Sequence, residues 1–345
     1  MSTAGHRRIA YFVHGRGRGH AARARAITRR LEADGHALEL FSGGDALELL
    51  GDLDVREVPI VGQGLRGLGA FPVRFAADRA AFRAFRPDLV ISDSDAPSTL
   101  LGRALGLPVI ALGHGLLFGH AVLPAGLPRA PVLREKAKGA VAAGLAWRKV
   151  IVNFTELPLA TSDSVLARPD LRDGLSRSDR DEGFLLCYFR DANAHEVLRL
   201  LTQTERHVVC YTERPVPPGV ERRPRSALEF ADALNRCHAV VASAGNQLIS
   251  ESAMVGKPMF AVHARGDDEQ AMNCALLKAA GLGDASPVDA VTLPQIERFL
   301  RMPRGPGDAS RERLRAMTPV SEAIAQLVRA APRCVPRMGR GLLGR

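Results

Sequence analysis

The chain has 345 residues, 46% of them hydrophobic and 24% charged, and a formal net charge of +10. That length suggests two domains of roughly 150 residues, each large enough to bury its own core. The composition excludes wholesale disorder, a collagen-like repeat and a small disulfide scaffold. No apolar run approaches the roughly 18 residues of a membrane-spanning helix. The apolar run at 9–13 is too short for a signal-peptide core, so a cytoplasmic protein is expected.

Of the 47 basic residues only five are lysines: Lys136, Lys138, Lys149, Lys257 and Lys278. Three Tyr and one Trp supply few rings for stacking on bases, which argues against a nucleic-acid partner. An anionic small ligand or an anionic membrane surface suits the charge better. The five cysteines are odd in number and no pair has CxxC spacing. They read as reduced, buried thiols, and no metal site is expected from them.

Short apolar strands alternate with Ala/Leu/Arg-rich helical stretches. Strands are predicted at 8–13, 37–42, 55–60, 88–92, 108–113 and 149–154, with helices at 21–35, 75–85 and 97–106. After a polar stretch the alternation restarts. Strands follow at 183–189, 207–212, 239–243 and 258–262, with helices at 195–203, 227–237, 246–256 and 269–281. Residues 310–331 read as a helix pair or one helix kinked at Pro319. Such alternation means parallel βαβ units. The expected fold is α/β, with two facing doubly wound Rossmann-like domains and an interdomain cleft. The expected boundaries are a first domain at 1–155, a linker at 156–182, a second domain at 183–331 and a basic, disordered tail at 332–345. Ligands of open α/β sheets bind beyond the C-terminal strand ends, so the motifs there carry the functional reading.

Three strand ends stand out. The first strand runs into Gly15-Arg16-Gly17-Arg18-Gly19-His20 and then a helix. The glycines let a ligand approach the helix start, but their GxGxG spacing departs from the dinucleotide fingerprint. His20 is a candidate general base, or else a phosphate contact or cap; His14 reads as a packing residue. The strand at 88–92 ends in Asp93-Ser94-Asp95. Asp93 could orient His20, and Asp95 suits a helix N-cap. A DxD metal–diphosphate site is the alternative. The strand at 239–243 leads through Gly245 into a helix starting at Asn246 or Gln247, whose amides suit a diphosphate. Glu251 on that helix could bind ribose hydroxyls, and Glu269, Gln270 and Asn273 follow the next strand end. Each of these acids also has a plain solvated reading.

The stretch SAGNQLISESAMVGKPMFAV…DDEQAMNCALLKAAGLG resembles the donor-binding region of GT-B glycosyltransferases. GRGRGHAARARAI and PDLVISDSDAPSTLLGRALGLPVIAL are similar to motifs of a prokaryotic branch related to muramyl-lipid GlcNAc-transferases and UDP-glycosyltransferases. The resemblance implies an inverting, metal-independent transferase using a nucleotide-sugar donor, a UDP-sugar for preference, as co-substrate without other cofactor. It implies that Gly245, Asn246 and Gln247 hold the diphosphate and Glu251 the ribose, with Glu269 and Gln270 on the sugar. Asn273 would sit on the donor side. His20 would be the base with Asp93 its partner, and Gly17, Gly19 and His114 would line the acceptor side. Phe230 lies where a ring should stack on the nucleobase. The chain departs from the pattern at Ser243, where a His or Arg is usual, and at Glu269, which replaces an Asp.

The acceptor is expected to be a lipid or small molecule. The segment 127–149 mixes basic residues with Val132, Leu133, Val141, Leu145 and Trp147, a composition suited to an anionic membrane surface or to a solvated helix face. Two other classes share the architecture: a nucleotide-sugar 2-epimerase-like enzyme, and a non-catalytic module that binds a nucleotide or glycolipid.

Overall fold

A computed structural model describes residues 5–15, 18–59, 61, 71–177, 180–189, 194–302 and 308–335. Among them, thirteen strands form two parallel sheets. The first contains β1 (Arg8–Val13), β2 (Ala37–Ser42), β3 (Val55–Glu57), β4 (Leu89–Asp93), β5 (Val109–Gly113), β6 (Arg148–Val152) and β7 (Ser164–Ala167). Their spatial order is β3-β2-β1-β4-β5-β6-β7. The second contains β8 (Leu185–Tyr188), β9 (Val208–Tyr211), β10 (Val220–Arg223), β11 (Ala239–Ser243), β12 (Met259–His263) and β13 (Gly283–Pro287), in the order β10-β9-β8-β11-β12-β13. Central strands such as β4, β5 and β11 are buried throughout, because helices cover both faces of a parallel sheet. The strand order reverses between β1 and β4, and again between β8 and β11. Each reversal opens a crevice at the C-terminal strand ends.

Helices α1 (Arg18–Ala33), α2 (Asp45–Leu49), α3 (Phe71–Phe85), α4 (Ala96–Ala104), α5 (Leu117–His120) and α6 (Arg129–Ala143) accompany the first sheet. Helices α7 (His195–Leu201), α8 (Ala227–Arg236), α9 (Asn246–Val255), α10 (Asp268–Ala279), α11 (Leu293–Leu300) and α12 (Asp308–Ala316) accompany the second. The last, α13 (Val320–Ala330), does not stay with its neighbours in sequence. Its Val320, Ile324 and Val328 pack with Ile9, Tyr11, Ile27 and Leu31 of the first domain. These three positions repeat every four residues and make one apolar stripe. The expected second domain at 183–331 therefore needs correction: residues 320–330 cover the first domain. The break from α12 falls at Pro319, which has no amide hydrogen to continue a helix and starts α13 instead. Trimming Ile324 to Ala opens a cavity in this wholly buried stripe. It is expected to lower unfolding free energy by about 2–5 kcal/mol, read by urea titration.

The linker expected at 156–182 also needs correction. Its residues 164–167 form β7, which pairs parallel to β6 and extends the first sheet. A single apolar cluster then runs across the two domains. Leu117, Phe118 and Phe154 of the first domain join Leu248, Met272 and Leu276 of the second. The two halves thus share a buried seam. Of the tail at 332–345, residues 336–345 lie outside the described residues. No helix among the described residues is long and apolar enough to cross a membrane.

Candidate functional site

The first crevice is built by β1 and β4, paired with Val13 opposite Asp93. His20 occupies the first turn of α1 and keeps 23% of its side chain exposed, while Asp93 is wholly buried. His20 Nδ1 lies 2.9 Å from Asp93 Oδ1. The pairing expected from the sequence is thus a contact in the structure. Arg23 follows His20 by one helical turn. Arg23 grips both oxygens of Asp93, Nε to Oδ2 at 2.6 Å and Nη2 to Oδ1 at 2.5 Å. Burial alone would push the Asp93 carboxyl up, but the Arg23 guanidinium, with His20 beside it, holds it well below the ordinary range. The ring of His14 lies 5.2 Å from that of His20. Gly17 lies outside the described residues.

Ser94 turns the chain sharply, with φ at +58°, a region a side chain seldom enters. The turn separates the two aspartates. Asp95 caps α4 by accepting from the Ser98 amide at 3.1 Å, and it takes a further bond from Arg74 at 3.0 Å. Each carboxylate of the Asp-Ser-Asp motif is therefore already paired with its own arginine.

The second crevice ends β11. Helix α9 starts at Asn246 behind Gly245, and no side chain caps it. A Cβ on Gly19 would lie 3.9 Å from that of Gln247. The N-terminal turns of α1 and α9 thus adjoin across the domain junction, and both carry the partial positive charge of a helix start.

Other side chains from the sequence reading are engaged between domains. Asn246 donates through Nδ2 to the Val152 carbonyl at 3.0 Å. Gln247 donates through Nε2 to the Asp170 carbonyl and to Glu251 Oε1. Glu251 is wholly buried and both its oxygens accept from Arg172, at 2.9 and 2.6 Å. The Arg172 guanidinium also lies 5.0 Å over the Phe230 ring. That ring is buried edge-on against Tyr188 and Tyr211. Asn273 donates to the Ala244 carbonyl at 2.9 Å, and its Oδ1 meets His114 Nε2 at 2.5 Å. His114 Nδ1 lies 3.0 Å from the Val152 carbonyl, and burial pushes this imidazole below its ordinary value. His114 and Asn273 therefore tie the domains together. Gln270 is buried, with its side-chain amide bonded to Asp267 and its Oε1 lacking a partner. Glu269 is exposed at the start of α10.

Arg23 and Arg172 are the site residues that sequence reasoning missed. Arg23 stood in plain view within Gly-His-x-x-Arg, where spacing of three places it on the His20 face of α1. Arg172 had no local signal, because it lies in a stretch read as linker.

The family model for "Glycosyl transferase family 1" matches residues 7–303. No curated protein matches the chain in sequence. Among solved structures it is similar to the glycosyltransferase SnogD from Streptomyces nogalater, with 18% identity and a TM-score of 0.65 over 94% of this chain and 99% of that one. The glycotransferase of kitacinnamycin gives 17% identity and a TM-score of 0.70 over 95% of this chain and 100% of that one. SsfS6 from Streptomyces sp. SF2575, complexed with thymidine diphosphate, gives 16% and 0.65 over 93% and 100%. At such identities the likeness establishes the shared fold, two Rossmann-like halves in the GT-B arrangement.

Proposed function

Because the chain belongs to glycosyl transferase family 1, we propose that this glycosyltransferase moves a sugar from a nucleotide diphosphate, a UDP-sugar for preference, to a hydroxyl of a lipid or small-molecule acceptor. The reading includes inversion at the anomeric carbon and no metal. One observation carries it: the His20–Asp93 contact and the uncapped start of α9 adjoin across the domain junction. In this reading the acceptor hydroxyl gives its proton to His20 while its oxygen attacks the anomeric carbon. The bond to the diphosphate breaks as the new one forms, and the amides opening α9 stabilise the charge that develops on the leaving group. Gly245, Asn246 and Gln247 would frame that diphosphate. Glu251 would meet the ribose while still holding Arg172, and Glu269 and Gln270 would meet the sugar. Gln270 Oε1 suits a sugar hydroxyl, since it is a buried acceptor without a partner. Gly19 and His114 would border the acceptor side. The thymidine diphosphate bound by SsfS6 makes dTDP-sugars the second donor class to test.

A thermal-shift screen of UDP-, dTDP- and GDP-sugars tests the donor, because a ligand that binds only the folded state raises its melting temperature. Stabilisation by one nucleotide class is expected, followed by transfer that persists in EDTA. Strict dependence on a divalent ion would redirect attention to Asp93 and Asp95. Epimerised sugar formed without acceptor would favour the 2-epimerase class. Binding without turnover across a broad acceptor panel would favour a recognition module.

The lipid reading draws on α6. Leu133 and Val141 are each 68% exposed there, beside the exposed Lys136 and Lys138. Apolar side chains ringed by lysines suit the inner face of an anionic membrane. Co-sedimentation with phosphatidylglycerol vesicles is expected at low salt and should weaken at high salt. No sedimentation at low salt would leave the soluble acceptor as the reading to pursue.

A further inference from the structure

His20 Nδ1 has two polar neighbours of opposite character. Arg23 Nη2 lies 2.6 Å away and Asp93 Oδ1 2.9 Å away. A guanidinium nitrogen can only donate, and an ionised carboxylate can only accept. A neutral imidazole holds one proton, so Nδ1 can satisfy only one of them. Arg23 already bonds both oxygens of Asp93, so neither oxygen is left without a donor when the histidine does not donate to it. Arg23 Nη2 carries two hydrogens; one serves Asp93 Oδ1 and the second is free for the nearer neighbour, Nδ1. A proton on Nδ1 would instead set two N–H groups against each other at 2.6 Å.

We propose, given His20 as the base, that Arg23 is a positioning residue that keeps the resting proton of His20 on Nε2. Arg23 Nη2 donates to the lone pair on Nδ1, and Nε2–H is the ring's remaining polar group. In that tautomer His20 is a hydrogen-bond donor through Nε2 and cannot take a proton there. The base form needs one proton to leave Nε2 and one to arrive at Nδ1, leaving the ring's charge unchanged. Nδ1–H then donates to Asp93 Oδ1, and the planar Arg23 guanidinium has to swing as a whole so that Nη2 no longer faces Nδ1. A site holding donor sugar without acceptor thus presents no ready base to stray water, which limits wasteful hydrolysis. Other charged or titratable groups near this cluster among the described residues include His14, 5.2 Å ring to ring from His20, the buried Tyr11, on which the charge of Asp170 acts, His114, on which the charge of Arg23 acts, and, across the junction, Glu269, whose charge acts on Arg23.

The test is the ¹⁵N spectrum of histidine-labelled protein at pH 8, with His20 assigned by its loss in His20→Gln. Wild type is expected to show His20 protonated on Nε2 and bare on Nδ1. In Arg23→Met the proton should move to Nδ1, where Asp93 becomes its partner. A wild-type ring protonated at Nδ1, alone or together with Nε2, overturns the proposal. So does the same tautomer in both proteins, which is what a merely structural Arg23 would give. Should Arg23→Met fail to fold by circular dichroism, the wild-type spectrum alone decides. The measurement needs no nucleotide sugar, so a failed donor screen would sink the transferase reading and leave this result standing on its own.

Discussion

Asp93→Ala is expected to lower unfolding free energy by about 3–5 kcal/mol at neutral pH, the usual range for removing one partner of a buried ion pair. Arg23 is 7% exposed and Asp93 fully enclosed, so removing the carboxylate leaves a buried guanidinium without its charge partner. Urea titration of the two proteins would measure the gap. Its pH dependence has a definite sign. The Asp93 carboxyl is depressed in the folded state, so the stability it confers is fully present above the ordinary carboxylate value of about 4 and drains as pH falls towards the depressed one. The gap between wild type and Asp93→Ala should therefore narrow as pH falls below about 4. The companion double variant, Asp93→Leu with Arg23→Leu, removes both charges at once. It should recover most of the loss, because apolar replacement of a whole buried pair is often neutral. A double variant as unstable as the single one would mean that the pair is needed to shape this end of β4. Such a result would move the weight of the argument from charge to packing.

The same pair shows how far the sequence could be read. The central strands announced themselves because both faces are covered, which leaves near-continuous apolar runs such as Ile9–Val13 and Leu89–Ser92. Edge strands gave no such signal. β10 is Val-Glu-Arg-Arg and β13 is Gly-Asp-Ala-Ser-Pro, because an edge pairs on one side only and tolerates charge and proline. Gly283 in β13 is required there: a Cβ would lie 1.8 Å from the Met259 carbonyl oxygen. The return of α13 to the first domain was equally hidden, since its apolar stripe fits any complementary surface and does not say which. At the site, local motifs placed His20, Asp93 and the start of α9 correctly at strand ends. What they could not show was who else competes for the same atoms. Arg172 reaches Glu251 from 79 residues earlier in the chain, and His114 meets Asn273 across 159. Partnerships at such separations are set by how two finished domains dock, and no spacing rule encodes that.

Replacing His20 by Ala should reduce kcat by about a hundred- to ten-thousand-fold, the contribution of a positioned general base, equivalent to about 3–5 kcal/mol of transition-state stabilisation. The fold should survive, because Arg23 and Asp93 stay paired without the imidazole. Affinity for the nucleotide should also survive, since the proposed diphosphate cradle belongs to α9 and Gly245 in the other domain. Isothermal titration with the diphosphate found in the donor screen, beside steady-state rates, separates the outcomes. Unchanged binding with lost turnover fits an interaction made only in the transition state. A raised KM for donor with kcat unchanged would mean that His20 binds the diphosphate, as a donor from Nε2, and that the hydroxyl proton goes elsewhere. His20→Gln sharpens the distinction, because an amide can donate to phosphate but cannot serve as a base near neutral pH. Rescue of donor affinity by Gln, with turnover near wild type, would remove His20 from the base role and leave it as part of the leaving-group cradle.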